Sequence, residues 1–327
     1  LQRLTGADPY ARLRYLRDLG LGWGGLGGIL RMIDLQRSSI STSLLSAAQE
    51  AALLTSAAEL IGRDPYGDLL SGVAGLVAPV ARRHRAESDQ ATARLLAAAA
   101  ERLVSTQLDE GGWPSPIASR PLTGLAHGAA GMGLALLEAG TALGRSDYVE
   151  AAARAFAYEH RHLAADAGNW PDFRTHALGP GGEPGFMVAW CHGAAGIGLA
   201  RARALDLAPD HPDAAVWRHE LEVAMATVAA CPLGPTDHLC CGNLGRAAIL
   251  RGVGRWAGRS AWVAAADDLT RRVLDRAGTG GGVRFALPVD ESASTGSVTP
   301  GLMTGVAGIG AHLAASADGA DLLALLV

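Results

Sequence analysis

The chain has 327 residues, of which 49% are hydrophobic and 18% charged, a balance that excludes a disordered polymer. Its 28 basic and 32 acidic residues give a net charge of −4, so no basic excess exists to neutralise nucleic-acid phosphates. Four cysteines are too few for a disulfide scaffold of this length and point to thiol or metal chemistry in a reducing, cytoplasmic compartment.

Taken in chain order, Leu1 to Tyr15 already carries Arg3, Asp8, Arg12 and Arg14 and does not read as a secretory signal. Glycine then dominates: 43 of the 327 residues, nearly twice the average usage of about 7%. The glycines recur in a pattern of Gly, two small residues, Gly, then an apolar run. The copies are Gly22–Ile29, Leu70–Leu76, Ala126–Gly133, Trp190–Gly198, Cys240–Gly245 and Met303–Gly310. Spacings of roughly 50 to 65 residues leave room for a helix pair per repeat.

The intervening segments fit that count. Ser88–Leu103, Asp147–His160, Ala214–Ala230 and Trp262–Arg276 are rich in Ala, Leu and Arg and read as amphipathic helices. Val, Ile and Thr form no alternating run. Thr295–Ala317 is uncharged but holds Pro300, His312 and five glycines, so it reads as a buried helix and not a membrane span. The expected fold is therefore all-α, two helices per repeat. Short glycine-rich helices forming the inner ring of an α/α toroid would explain the repetition. Two side-chain-free positions one turn apart allow close approach to a neighbouring helix, and the first can take a positive φ.

Equivalent repeats bring the residues just before each first glycine to one end of the fold. Three of the six copies place titratable or metal-binding groups there: His127, the pair Cys191 and His192, and the pair Cys240 and Cys241. Zinc takes soft thiolate or imidazole ligands in a tetrahedral arrangement. Adjacent cysteines diverge by about 100° inside a helix, but at its start both can turn to one ion. Cys191, Cys240 and Cys241 thus make a candidate zinc site with an open fourth position. Buried inert thiols or a vicinal disulfide are the alternatives. Cys231 stands outside the register and reads as an ordinary buried cysteine. His127 is a candidate acid or base. Asp68 suits a helix N-cap. His192 and His238 could orient a ligand, Trp190 could wall the site, and Arg174 and Arg246 read as solvated or helix-pairing.

These motifs resemble the lanthionine synthetase cyclases, and within them the C-terminal cyclase domain of class II lanthipeptide synthetases. GLGWGGLGGI (20–29), PLTGLAHGAAGMG (121–133), FMVAWCHGAAGIGLAR (186–201), DHLCCGNLG (237–245) and PGLMTGVAGIG (300–310) carry the likeness. The resemblance implies a double α/α barrel of about seven repeats, with zinc on Cys191, Cys240 and Cys241 and active-site roles for His127 and Asp68. It implies addition of peptide cysteine thiols to dehydroalanine or dehydrobutyrine, with a dehydrated precursor peptide as partner. Cys241 stands where the family more often has His. Met187 stands where some members have Arg, so that role does not transfer. The resemblance also implies a cyclase domain over 1–327 lacking its first repeat, with any linked dehydratase domain outside these residues. A non-catalytic zinc-binding peptide scaffold and a relative that adds thiols intermolecularly remain alternatives. A glycosidase would need a carboxylate pair, and Asp68 is the one acid near the motif register.

Overall fold

A computed structural model describes residues 46–278, 283–287 and 300–317, together with Gly28. The first glycine motif otherwise lies outside the described residues. Ten helices are described: α1 (Ala47–Ile61), α2 (Ala74–Glu87), α3 (Gln90–Thr106), α4 (Ala129–Leu143), α5 (Ser146–Arg161), α6 (Ala194–Leu207), α7 (Ala214–Ala230), α8 (Asn243–Trp256), α9 (Ser260–Ala277) and α10 (Val306–Ala317). Between α5 and α6 a two-residue pair of strands, β1 (Pro171–Asp172) and β2 (Gly185–Phe186), pairs antiparallel. No helix among the described residues is long and apolar enough to cross a membrane.

Local chemistry explains the boundaries. Ser46 and Gln49 form a capping box at α1, and Asp89 accepts the Ala91 and Thr92 N–H groups at the start of α3. Each satisfies amides that the first helical turn leaves unpaired. The four segments predicted as amphipathic helices are α3, α5, α7 and α9. They bury one face, as α3 does through Leu95, Leu96, Ala99, Ala100 and Leu103. The motif helices behave differently. Ala129 to Gly140 of α4 and Asn243 to Gly254 of α8 are buried at every position. In α10 the burial is narrower than expected, confined to Gly308, Ile309 and His312.

The chain divides into two compact units. One is built on α1–α5, with α4 packed against α2, α3 and α5. The other holds Thr123–Leu125, the β1–β2 pair and α6–α10, with α8 packed against α6, α7, α9 and α10. Arg201 and Glu220 form an ion pair at 2.5 Å between α6 and α7 with neither side chain exposed. Arg246 is also buried, donating to the Pro232 carbonyl at 2.9 Å and to Asn243. It is therefore a core residue and not a solvated one. Removal from water pushes its guanidinium below the usual value, opposed by nearby Cys231.

The second glycine of three motifs serves a closer contact than a neighbouring helix. A Cβ on Gly196, Gly245 or Gly308 would lie 2.0, 1.8 and 1.8 Å from the carbonyl oxygens of Trp190, Leu239 and Leu302. The motif's own loop folds back over the first turn of its helix, and only hydrogen fits beneath it. The helix contact foreseen for these glycines falls to Gly133 and Gly198, whose missing Cβ atoms face Ala155 and Ala224.

Candidate functional site

The loops before the motif helices are joined by main-chain hydrogen bonds that hold them in register. In the first unit, the Leu69 and Leu70 N–H groups both donate to the Ala126 carbonyl at 3.1 Å. In the second, Leu125 N–H donates to the Cys191 carbonyl at 3.1 Å, Trp190 N–H to that of Cys240 at 3.0 Å, and Cys240 N–H to that of Met303 at 2.8 Å. Each acceptor stands two residues before its motif's first glycine, the register read from the sequence.

This stitching brings Cys191 against the Cys240–Cys241 turn. Cys191 Sγ lies 3.2 Å from Cys241 Sγ, which lies 3.4 Å from Cys240 Sγ, and all three sulfurs fall within 4.8 Å of one another. All three are free thiols, Cys191 buried and Cys241 exposed. Adjacent cysteines can share this point because they sit in a turn closed by Gly242 N–H on the His238 carbonyl at 3.0 Å. Asn243, the first residue of α8, fixes the turn from behind through the Thr236 carbonyl and Asp237 Oδ1, both at 2.8 Å. Two residues after Cys191, Gly193 takes φ +76°, and a Cβ there would lie 1.7 Å from the Met187 carbonyl. His238 is buried, and its Nδ1 accepts the Cys241 N–H at 3.3 Å. Trp190 is 2% exposed and is part of the core, not a wall open to solvent.

The donor set suits a thiophilic divalent cation. Tetrahedral zinc with Zn–S near 2.3 Å separates its sulfurs by about 3.8 Å, and the cluster needs only small adjustments to reach that. Hydrogen bonding with the Cys191 and Cys241 sulfurs, then burial, pushes the Cys240 thiol well up. Three thiols so close resist ionisation by themselves, and a shared cation reverses that preference.

The first unit holds a second pair. His127 Nδ1 lies 2.7 Å from Asp68 Oδ2, with side-chain exposures of 19% and 8%. Asp68 Oδ1 accepts the Ser71 N–H at 2.7 Å, so its capping and orienting roles coexist on different oxygens. Asp64, which sequence reading passed over, accepts the Tyr66, Gly67 and Val73 N–H groups. The turn signature Asp64-Pro65-Tyr66-Gly67 was its visible signal.

Helix pairs headed by glycine motifs, with a three-thiol cluster in two of the motif loops, define an α-helical repeat protein with a candidate metal centre. The chain belongs to the lanthionine synthetase C-like family, whose model matches residues 11–326. No curated protein matches the sequence. Among solved structures, nisin cyclase is similar at 15% identity and TM-score 0.52, covering 97% of this chain and 94% of that one. The all-α toroid class expected from the repeats is borne out by that likeness. A polysaccharide lyase is similar at 13% identity and TM-score 0.54, covering 97% and 93% of the two chains. A sugar epimerase from a ruminal bacterium is similar at 11% identity and TM-score 0.52, covering 76% and 74%. At these identities the likenesses show the fold alone.

Proposed function

We propose that this chain is a zinc-dependent lanthipeptide cyclase of the kind joined to a dehydratase in class II synthetases, with both units forming one cyclase domain over 1–327. It would act in the cytoplasm on a dehydrated precursor peptide, adding a cysteine thiol to dehydroalanine or dehydrobutyrine to close a lanthionine or methyllanthionine ring. The observation that carries this reading is the convergence of Cys191, Cys240 and Cys241 sulfurs within 4.8 Å in a member of this family. The sugar-acting neighbours share the fold alone, and the three-thiol cluster in the motif loops is what favours the cyclase reading.

Cys191, Cys240 and Cys241 would hold the ion. Zinc, when bound, supplies a Lewis acid that lowers the pKa of an incoming thiol. Three protein ligands are the catalytic count, which leaves a position for substrate. Sulfur attack on the β-carbon forms the C–S bond and moves the π electrons to an enolate, and the α-carbon then needs a proton. We assign that donation to His127. Asp68, as a carboxylate, accepts from Nδ1–H, so Nε2 can take up the proton that the thiol releases and return it to the α-carbon. The histidine's role rests on the family resemblance and the geometry of its own pair with Asp68.

The test measures zinc per chain by elemental analysis and thioether formation with a dehydrated peptide, for the wild type and Cys240→Ala. The expected result is one zinc and ring closure in the wild type, both lost in the variant. Cyclisation retained without zinc rejects the mechanism. Zinc without thioether formation supports a peptide scaffold, and products formed only from added external thiols support the intermolecular relative.

A further inference from the structure

The 67–73 loop carries Asp68, and its two ends are tied to one carboxylate. Asp64 Oδ2 accepts the Gly67 N–H at 3.0 Å and the Val73 N–H at 2.7 Å, while Oδ1 accepts the Tyr66 N–H at 3.1 Å. Asp64 is 6% exposed, and Arg102 Nη2 anchors its own carbonyl at 2.8 Å. Between the two ends, Gly72 N–H donates to the Asp68 carbonyl at 3.0 Å and Ala74 N–H to that of Gly67 at 3.2 Å. Gly67 holds φ +68°, so the loop is a closed turn with Asp64 at its centre.

The repeats supply an internal comparison. Eight residues before its first glycine, the Cys240–Cys241 loop has Gly234 in place of Asp64. There the pinning falls to Asn243, whose Nδ2 donates to the Gly234 carbonyl at 3.0 Å and whose Oδ1 accepts the Gly234 N–H at 2.8 Å. A buried carboxylate at this position is therefore not what a motif loop requires in order to fold. It accompanies the loop that must aim Asp68 at His127.

We infer that Asp64 is a positioning residue for His127: it fixes the loop that holds Asp68 and so keeps the imidazole proton on Nδ1, which leaves Nε2 open to take up the proton it passes to substrate. The inference rests on the acid role proposed for His127. Oδ2 receives two N–H groups, which an amide nitrogen cannot accept. In Asp64→Asn the single acceptor oxygen either stays on the Gly67 and Val73 N–H groups and turns the NH2 against the Tyr66 N–H, or turns the NH2 against both ends of the loop, so at least one of the three bonds becomes a donor–donor clash. Asp68 Oδ2 then drifts from His127 Nδ1, and the imidazole is free to shift its proton to Nε2.

The experiment uses the full chain with 15N-labelled histidine, zinc-loaded, with the His127 ring signals assigned through His127→Gln. The expected wild-type signature is the Nδ1–H tautomer. In Asp64→Asn the His127 signals move toward the Nε2–H tautomer and peptide cyclisation slows about 10- to 100-fold, the range seen on removing orienting partners. Zinc content and helical circular dichroism should stay at wild-type levels. His127 signals unchanged in Asp64→Asn but moved in Asp68→Asn overturn the inference, and so do signals unchanged in both. Should Asp64→Asn fail to fold, Asp64→Glu keeps the charge and displaces the oxygens by one methylene, with the same direction expected. The ring signals need no substrate, so they decide the role of Asp64 even if the wild type closes no rings.

Discussion

A carboxylate accepts hydrogen bonds and donates none, so the proton between Asp68 Oδ2 and His127 Nδ1, 2.7 Å apart, belongs to the imidazole. His127→Ala should therefore keep its zinc and lose about 10²- to 10⁴-fold in cyclisation rate, the usual contribution of a positioned acid or base. Equal rates in the variant and the wild type would remove His127 from the chemistry. A different histidine governs stability. His312 is buried against Thr270, whose hydroxyl already donates to the Ala266 carbonyl and so accepts from Nε2 at 3.1 Å. Burial, reinforced by Arg251, lowers its pKa from 6.5 to about 4. The folded state holds the ring neutral while the unfolded chain takes up a proton near pH 6.5. Its stability contribution is thus full above that pH and is lost as pH falls toward 4, by up to about 3 kcal/mol. Denaturant titrations at pH 7 and pH 4.5 should show this loss in the wild type and a smaller one in His312→Gln.

At the scale of elements, the helices were legible where burial is one-sided. Ala214–Ala230 was expected and found with those limits, and α3, α5 and α9 differ from their sequence outlines only at the ends. Polar faces mark such helices, whereas the motif helices α4, α6 and α8 had to be read from glycine spacing because nearly all of their surface is buried. The β1–β2 pair was missed. Two residues per strand give no alternation, and their pairing depends on chain returning from outside the local window. The glycine spacing also hid its purpose, since a sequence shows that a side chain is absent but not which carbonyl fills the space. The structure makes that purpose testable. In Gly245→Ala the new Cβ would lie 1.8 Å from the Leu239 carbonyl oxygen, and Leu239 directly precedes Cys240. The loop must move, so the variant should lose about 3 kcal/mol or more and bind zinc weakly. Gly310 in α10 has no atom within 4 Å of its missing Cβ. Gly310→Ala should instead be neutral or stabilise by up to about 1 kcal/mol. Equal effects in chemical denaturation would reject the close-approach account.

At the scale of the molecule, the repeat register was what made the candidate site legible. It singled out Cys191, Cys240 and Cys241, whose sulfurs the structure places together, and His127 as an acid or base; Asp68 read as a helix cap, and its active-site role came from the family resemblance. Asp64 showed only as part of a turn signature and Asn243 escaped, because a residue pattern does not display which main-chain groups a side chain will hold. The convergence has a thermodynamic consequence. Cys191 and Cys241 are separated by 50 positions, and an unfolded chain cannot keep their thiols together, so an ion that binds all three sulfurs binds the folded state preferentially. Free zinc at about 100 times its dissociation constant would stabilise that state by about 2.7 kcal/mol. For a chain of this size, at about 2.1 cal/mol/K of unfolding entropy per residue, that corresponds to roughly 4 °C in melting temperature. Chelation should lower the wild-type melting temperature by that amount, and zinc should restore it. Cys191→Ser should begin at the lower temperature and respond to neither addition. A variant that still gains stability from zinc would place the stabilising ion on other residues, and the three cysteines would no longer account for the metal centre.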